Sequence, residues 1–210
     1  MAYLSESIRY FNQFGMMLAY SHSTSDQLLE QFRDVVDGWN WRTGYHRRFM
    51  DHRLLHRMGL TWEDDMEDSS TVPGYYVGAI QQWSAISRGA FQPSGVTEHF
   101  GFNENKPTVI EFDLGGEHHI LSTDFDTYCA WLDLSLFDKI NDLIWPTNKQ
   151  FVFAKFCSQY AVVYCLTASE QDLIRQDRGW VFAGDKLSAD EKKSFWEAAG
   201  IPEAAEYDED

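Results

Sequence analysis

Positive charge, cysteine and recognisable catalytic motifs are all scarce in this sequence. It has 17 Lys and Arg against 33 Asp and Glu, a net charge of −16. Nucleic acids and anionic membranes are polyanions that attract basic surfaces, so this balance argues against direct duplex nucleic-acid binding and against a membrane partner. The three cysteines, Cys129, Cys157 and Cys165, are odd in number, sit in apolar stretches and lack C-x-x-C spacing. They read as reduced core thiols, not as a disulfide framework, a zinc site or a redox pair. No cationic start followed by a long apolar run occupies residues 1–20, and the longest apolar stretch there, 16–20, is too short for a signal or a span. A cytoplasmic location is expected.

Catalytic signatures are missing as well. There is no G-x-S-x-G, no P-loop, no H-E-x-x-H and no glycine fingerprint directly after a strand. The reading leans away from an enzyme, and it assigns no catalytic residue, no metal ligand and no cofactor.

What is present is apolar, aromatic and acidic. With 44% hydrophobic and 16% aromatic residues in 210 positions, one fold can bury a sizeable core, roughly 70% of the surface of the unfolded chain. A single globular domain over 1–210 is expected, with an internal boundary, if any, in an acidic loop at 63–74 and a flexible acidic tail at 203–210. The excess of carboxylate is lopsided. Residues 1–60 carry seven Arg and six Asp or Glu, a net of +1, whereas residues 61–210 carry a net of −17.

The first third reads as helical. Leu28, Leu29, Phe32, Val35, Val36 and Trp39 share one face of a helix at 26–38, preceded by an aromatic helix at 6–20 and followed by a third at 45–58. Residues 63–68, EDDMED, read as an exposed loop. Residues 75–83 fit either a strand or a short helix, and the Gly-, Pro- and Asn-rich stretch 89–105 reads as loop. The clearest β signal is a hairpin at 108–122, whose Gly115-Gly116 loop takes the positive φ angles of a tight turn and sets Asp113 opposite His118 and Phe112 opposite His119. A helix is expected over 124–144, capped by Thr123 with Asp126 and ended by Pro146. A second hairpin joins 151–157 to 160–167 across two polar residues. Capping boxes at Ser169/Asp172 and Ser188/Glu191 open two further short helices. Together these elements predict an α+β fold, a helical N-terminal third followed by antiparallel hairpins with intervening helices.

Four constellations have chemistry to weigh. His52 and His56 stand four apart on the third helix, but Arg47, Arg48, Arg53 and Arg57 crowd them, so a solvated or internally docked basic helix outweighs a metal site. The same arginines, beside Trp39, Trp41 and Tyr45, suit a small phosphate or nucleotide better than a duplex. His118, with Asp113 or Asp124, is the best position for metal-assisted hydrolysis, although a cross-strand polar pair with Asp113 is the simpler reading and outweighs it. The acidic surface is the fourth. Asp124, Asp126, Asp133, Asp138 and Asp142 against Lys139 alone make the central helix acidic, and Glu63, Asp64 and Asp65 add to it.

Such a face serves solubility or docks a basic partner, with Trp62, Trp131 and Trp145 as aromatic anchors. By composition alone the chain resembles immunity proteins and inhibitors that neutralise nucleases or other basic toxins, and phage anti-defence proteins. That resemblance implies an acidic protein-binding module acting on a basic toxin or nucleic-acid enzyme. Its expected contact residues are Trp62, Glu63, Asp64, Asp65, Asp126, Trp131, Asp133, Asp138, Asp142 and Trp145. Metal-assisted hydrolysis at His118 and DNA mimicry are the alternatives.

Overall fold

The computed structural model describes residues 2–16, 26–27, 30, 44–65, 71–124, 132–154 and 160–186. Its elements are α1 (Ala2–Asn12), α2 (Gly44–Arg57), β1 (Thr61–Asp65), α3 (Tyr75–Ile86), β2 (Ser94–His99), β3 (Val109–Leu114) and β4 (Glu117–Ser122). They continue with α4 (Ser135–Ile144), β5 (Lys149–Phe153), β6 (Tyr160–Thr167) and α5 (Ala168–Arg178). Helices with antiparallel sheets make this an α+β fold. Among the described residues, no helix is long and apolar enough to cross a membrane.

The chain forms two compact units, one from Met1–Met58 with Leu173–Asp210, the other from Gly59–Asp172. In the first, Leu4, Ile8 and Phe11 recur at helical spacing and are buried along α1, and Met50, Leu54 and Leu55 are buried along α2. The Phe11 ring meets Trp180 at 6.3 Å between centroids, and Trp180 in turn meets Phe182. The helix expected at 6–20 begins at Ala2 and ends at Asn12, with turns to Met16; residues 17–20 lie outside the description. Of the helix expected at 26–38, Asp26, Gln27 and Glu30 are helical and exposed, and the rest lies outside the described residues.

The second unit contains two three-stranded antiparallel sheets, ordered β1-β6-β5 and β2-β3-β4. The first hairpin keeps the expected register, Asp113 opposite His118 and Phe112 opposite His119, with Gly115 and Gly116 at φ 63° and 89°. The second pairs Phe151 with Cys165, whereas a two-residue loop at 158–159 would pair it with Leu166. That one-residue difference decides which side chains face the core. Phe151 and Cys165 do so, and residues 161–166 are all buried.

Aromatic packing joins the layers of this unit. Phe91 sits edge-on to Phe112 of one sheet, at 5.6 Å, and to Phe151 of the other, at 6.0 Å. Tyr76, Ala79, Ile80, Trp83 and Ile86 line the buried face of α3; Leu136, Phe137, Ile140 and Ile144 line that of α4. The Trp83 and Phe137 rings lie 4.2 Å apart. Removing a ring from a core of this density costs about 3–5 kcal/mol.

Several expectations are corrected. Glu63, Asp64 and Asp65 are not loop: they complete β1 and pair with Val162, Ala161 and Tyr160 of β6. Carboxylates are poor strand formers, but the ladder to a fully buried neighbour supplies the backbone bonds that propensity does not. The stretch 89–105 contains β2, a half-exposed strand with a bulge between Ser94 and Thr97. Residues 75–83 are helix. α4 starts at Ser135, so Asp124 and residues 132–134 are not helical, and 125–131 lie outside the description. Thr123 does not cap it, because its hydroxyl accepts the Thr108 N–H at 2.9 Å. The capping box of α5 is Thr167 with Glu170, not Ser169 with Asp172. The Glu170 N–H donates to the Thr167 hydroxyl at 3.2 Å, and the Thr167 N–H to the Glu170 carboxylate at 2.8 Å. The Ser188/Glu191 box and the tail at 203–210 lie outside the described residues.

Candidate functional site

α4 divides its surface cleanly between core and solvent. Its apolar stripe is buried, and Asp138 and Asp142 project from the exposed side. Trp145 follows directly, still with helical angles, φ −42° and ψ −41°, and starts a 3-10 turn, Trp145–Thr147. At 3.6 residues per turn, positions 138, 142 and 145 fall within about 60° of arc, one stripe along the helix. The turn is well anchored. The Thr147 hydroxyl donates to the Ile144 carbonyl at 2.8 Å, and the Asn148 N–H donates to the Trp145 carbonyl at 3.1 Å. Asn141 fixes the helix to β5 by bonding both backbone groups of Phe151, at 3.0 and 2.7 Å.

Trp145 is 76% exposed on this framework. Exposed aspartates on a helix are ordinary in a soluble protein. An indole held in water on a rigid turn forgoes the burial that such a ring usually contributes to folding, and is the less ordinary observation.

The remaining acids of this region are committed locally. The Asp133 carboxylate accepts the N–H of Ser135 at 2.9 Å and of Asp124 at 2.6 Å, holding the start of α4. Lys139 bonds the Asp124 carboxylate at 3.0 Å and the Ser122 carbonyl at 2.7 Å, which holds Asp124 below the usual carboxylate range. Trp62 is 4% exposed, with its ring against Trp83 and Phe137 in the core. Glu63 and Asp64 are half-buried on β1, and Asp65 ends that strand. Asp126 and Trp131 lie outside the described residues. Of the expected contact residues, Asp138, Asp142 and Trp145 share one exposed stripe, and Trp62, Glu63, Asp64, Asp65 and Asp133 lie elsewhere in the same unit.

The histidine constellations are open and polar. His118 sets Nδ1 at 3.0 Å from Asp113 and Nε2 at 3.5 Å from Glu111, and His99 of β2 adds its Nε2 at 3.2 Å from the other Glu111 oxygen. His119 points to the opposite face and stacks near Phe112. His99 was missed because its strand reads as loop. Both rings of the cluster are more than half exposed, which suits a cross-strand ladder. Among the described residues no group of His, Cys, Asp or Glu is arranged to hold a metal ion. On α2 the His52 ring is buried and that of His56 exposed, with their centroids 6.3 Å apart.

Two buried ionic centres were not visible in the sequence. Arg88, at φ 54°, grips Glu170 through both carboxylate oxygens at 2.8 and 3.0 Å, and Lys149 bonds the Arg88 carbonyl at 2.8 Å. In the first unit Asp51, fully buried, accepts from the Ser7 hydroxyl at 2.5 Å and the Tyr3 hydroxyl at 3.2 Å. Arg178 lies 3.9 Å from it, bonds Tyr3 and Glu6, and stacks over Tyr10 at 4.1 Å. Both centres hold elements together within their own unit. No protein-family model, curated protein or solved structure matches the chain.

Proposed function

We propose that the chain is an acidic protein-binding module of the immunity or inhibitor type, which occludes a basic toxin or nucleic-acid enzyme through the Asp138–Asp142–Trp145 stripe. The observation that carries the reading is Trp145, 76% exposed at the end of a helix face with two exposed aspartates. Tryptophan is enriched among the few residues that dominate binding energy, and surrounding charge steers the encounter. The net charge of −16 adds long-range attraction for a basic partner.

Copurification from the native host identifies the partner, and association kinetics then test the stripe. Trp145→Ala should speed dissociation by roughly 30-fold, the equivalent of a hot-spot loss of about 2 kcal/mol. Asp138→Asn with Asp142→Asn should instead slow association and flatten its dependence on salt, since exposed charges are screened beyond about 8 Å at physiological ionic strength. Recovery of no basic partner, or unchanged dissociation in Trp145→Ala, overturns the reading.

A further inference from the structure

β4 is an edge of its sheet. In the order β2-β3-β4 it pairs on one side alone, and its register to β3 runs without a shift from Leu114↔Glu117 to Val109↔Ser122. Two bonds show which of its backbone groups face outward. The Thr123 N–H donates to the Thr108 carbonyl at 3.0 Å, on the β3 side, whereas the Ser122 carbonyl accepts from Lys139 Nζ at 2.7 Å. Backbone direction alternates along an antiparallel strand, so His119 and Leu121 bond β3, and the N–H and C=O groups of His118 and Ile120 point away from it. Among the described residues nothing bonds those outward groups.

An open sheet edge is a template for further pairing, and proteins blunt it with charge, bulges or cover. The other three edges each carry such a device. β1 holds Glu63, Asp64 and Asp65, β2 has its bulge between Ser94 and Thr97, and both backbone groups of Phe151 on β5 are bonded by Asn141. The middle of β4 has none of these. Its sequence, EHHILS, has no lysine or proline, and it presents Ile120, 61% exposed, on the same face as His118. A lone exposed isoleucine is ordinary; one flanked by unpaired backbone groups suits a strand that another strand completes.

The charges at this edge select a second copy of the same edge. Lys139 sits at its 122 end, where Ser122 and Asp124 use two of the three ammonium donors, and the exposed Glu117 sits at the other end. A two-fold axis beside His119 sets His118 opposite the copy's Ile120 and Ile120 opposite the copy's His118, an isologous contact. Each of these pairs exchanges two ladder bonds, and the Ser122 carbonyl, already bonded, is not needed. The same register sets the copy's Gly116 opposite Ser122, where the missing side chain makes room for the ammonium. It also sets the copy's Glu117 opposite Leu121, one residue from the carbonyl that Lys139 bonds.

We infer that the chain self-associates through β4, pairing antiparallel about a two-fold axis at His119 into one continuous six-stranded sheet, with Glu117 of each copy set against Lys139 of the other. The contact uses none of Asp138, Asp142 and Trp145, so this inference and the proposed function fail separately.

The test is sedimentation equilibrium of the full chain at physiological ionic strength, with amide hydrogen exchange at low and high protein concentration. Sedimentation should show a monomer–dimer equilibrium. As concentration rises, exchange should slow at least about tenfold at the His118 and Ile120 amides and stay unchanged at His119 and Leu121, which β3 already protects. Ile120→Pro removes an outward N–H and no bond to β3, so it should raise the dimer Kd at least about tenfold while His119 and Leu121 keep their protection. Glu117→Lys, a surface change that leaves the hairpin intact, should raise it about fivefold. A chain that stays monomeric up to about 1 mM, a dimer whose His118 and Ile120 amides exchange as in the monomer, or undiminished dimerisation in either variant overturns the inference.

Discussion

Replacing Asp51 by asparagine removes a charge from a position with no exposed surface while preserving the shape of the side chain. Burial pushes this carboxyl up to about 6; the Ser7 hydroxyl, Arg178 and Tyr3 pull it back, and Glu6 adds to the rise. A carboxyl raised above its unfolded value stabilises the fold fully below that value, near pH 4, and loses the contribution as pH climbs through about 6. The difference of about two pH units corresponds to about 3 kcal/mol. Asparagine does not titrate. The stability of the wild type relative to Asp51→Asn should therefore fall by about 3 kcal/mol between pH 4 and pH 7.5, then level off. Amide hydrogen exchange in α1 and α2, corrected for intrinsic rates, reads the first unit alone. Parallel pH profiles would refute the assignment of desolvation as the dominant force. A wild type that gains on Asp51→Asn as pH rises would show that Arg178, at 3.9 Å, holds the carboxylate ionised.

Two further outcomes follow from the second unit. Glu170→Gln removes the carboxylate that Arg88 grips and weakens the start of α5; urea unfolding should register a loss of about 3 kcal/mol, the low end for breaking a buried pair. Burial pushes the Cys165 thiol up to about 12, so peptide mapping after Ellman's reagent should find it unlabelled in native protein and labelled only in denaturant. Native labelling would refute its burial.

The elements with strong local signals were legible in the sequence. Alternation around Gly115-Gly116 is enough to place His118 opposite Asp113, and the spacing of Met50, Leu54 and Leu55 supports α2. The misses are places where a distant neighbour decides. The acids of β1 form a strand because β6 pairs with them, and β2 depends on β3. At the start of α4 the Asp133 carboxylate accepts the Ser135 N–H, while the Thr123 hydroxyl is taken by the Thr108 N–H, a partner distant in sequence. Thr167/Glu170 and Ser169/Asp172 are two overlapping capping patterns, and local sequence does not choose between them. The candidate site shows the same division. Exposure separates Trp145 from Trp62, and composition treats eight tryptophans alike. Asp51 stands among arginines and histidines, so nothing in the linear pattern marks it for burial.

The first unit draws on both ends of the chain, Met1–Met58 and Leu173–Asp210, and this sets an order of assembly during synthesis. α1 and α2 leave the ribosome first, yet the guanidinium beside Asp51 belongs to Arg178. All of residues 59–172 must be translated in between, a delay on the order of ten seconds at about 5–20 residues per second. At the end of that interval the contiguous second unit has been translated in full and the first has not. A nascent chain stalled at residue 172 would therefore contain the whole sequence of the second unit and two helices still waiting for their counter-charge.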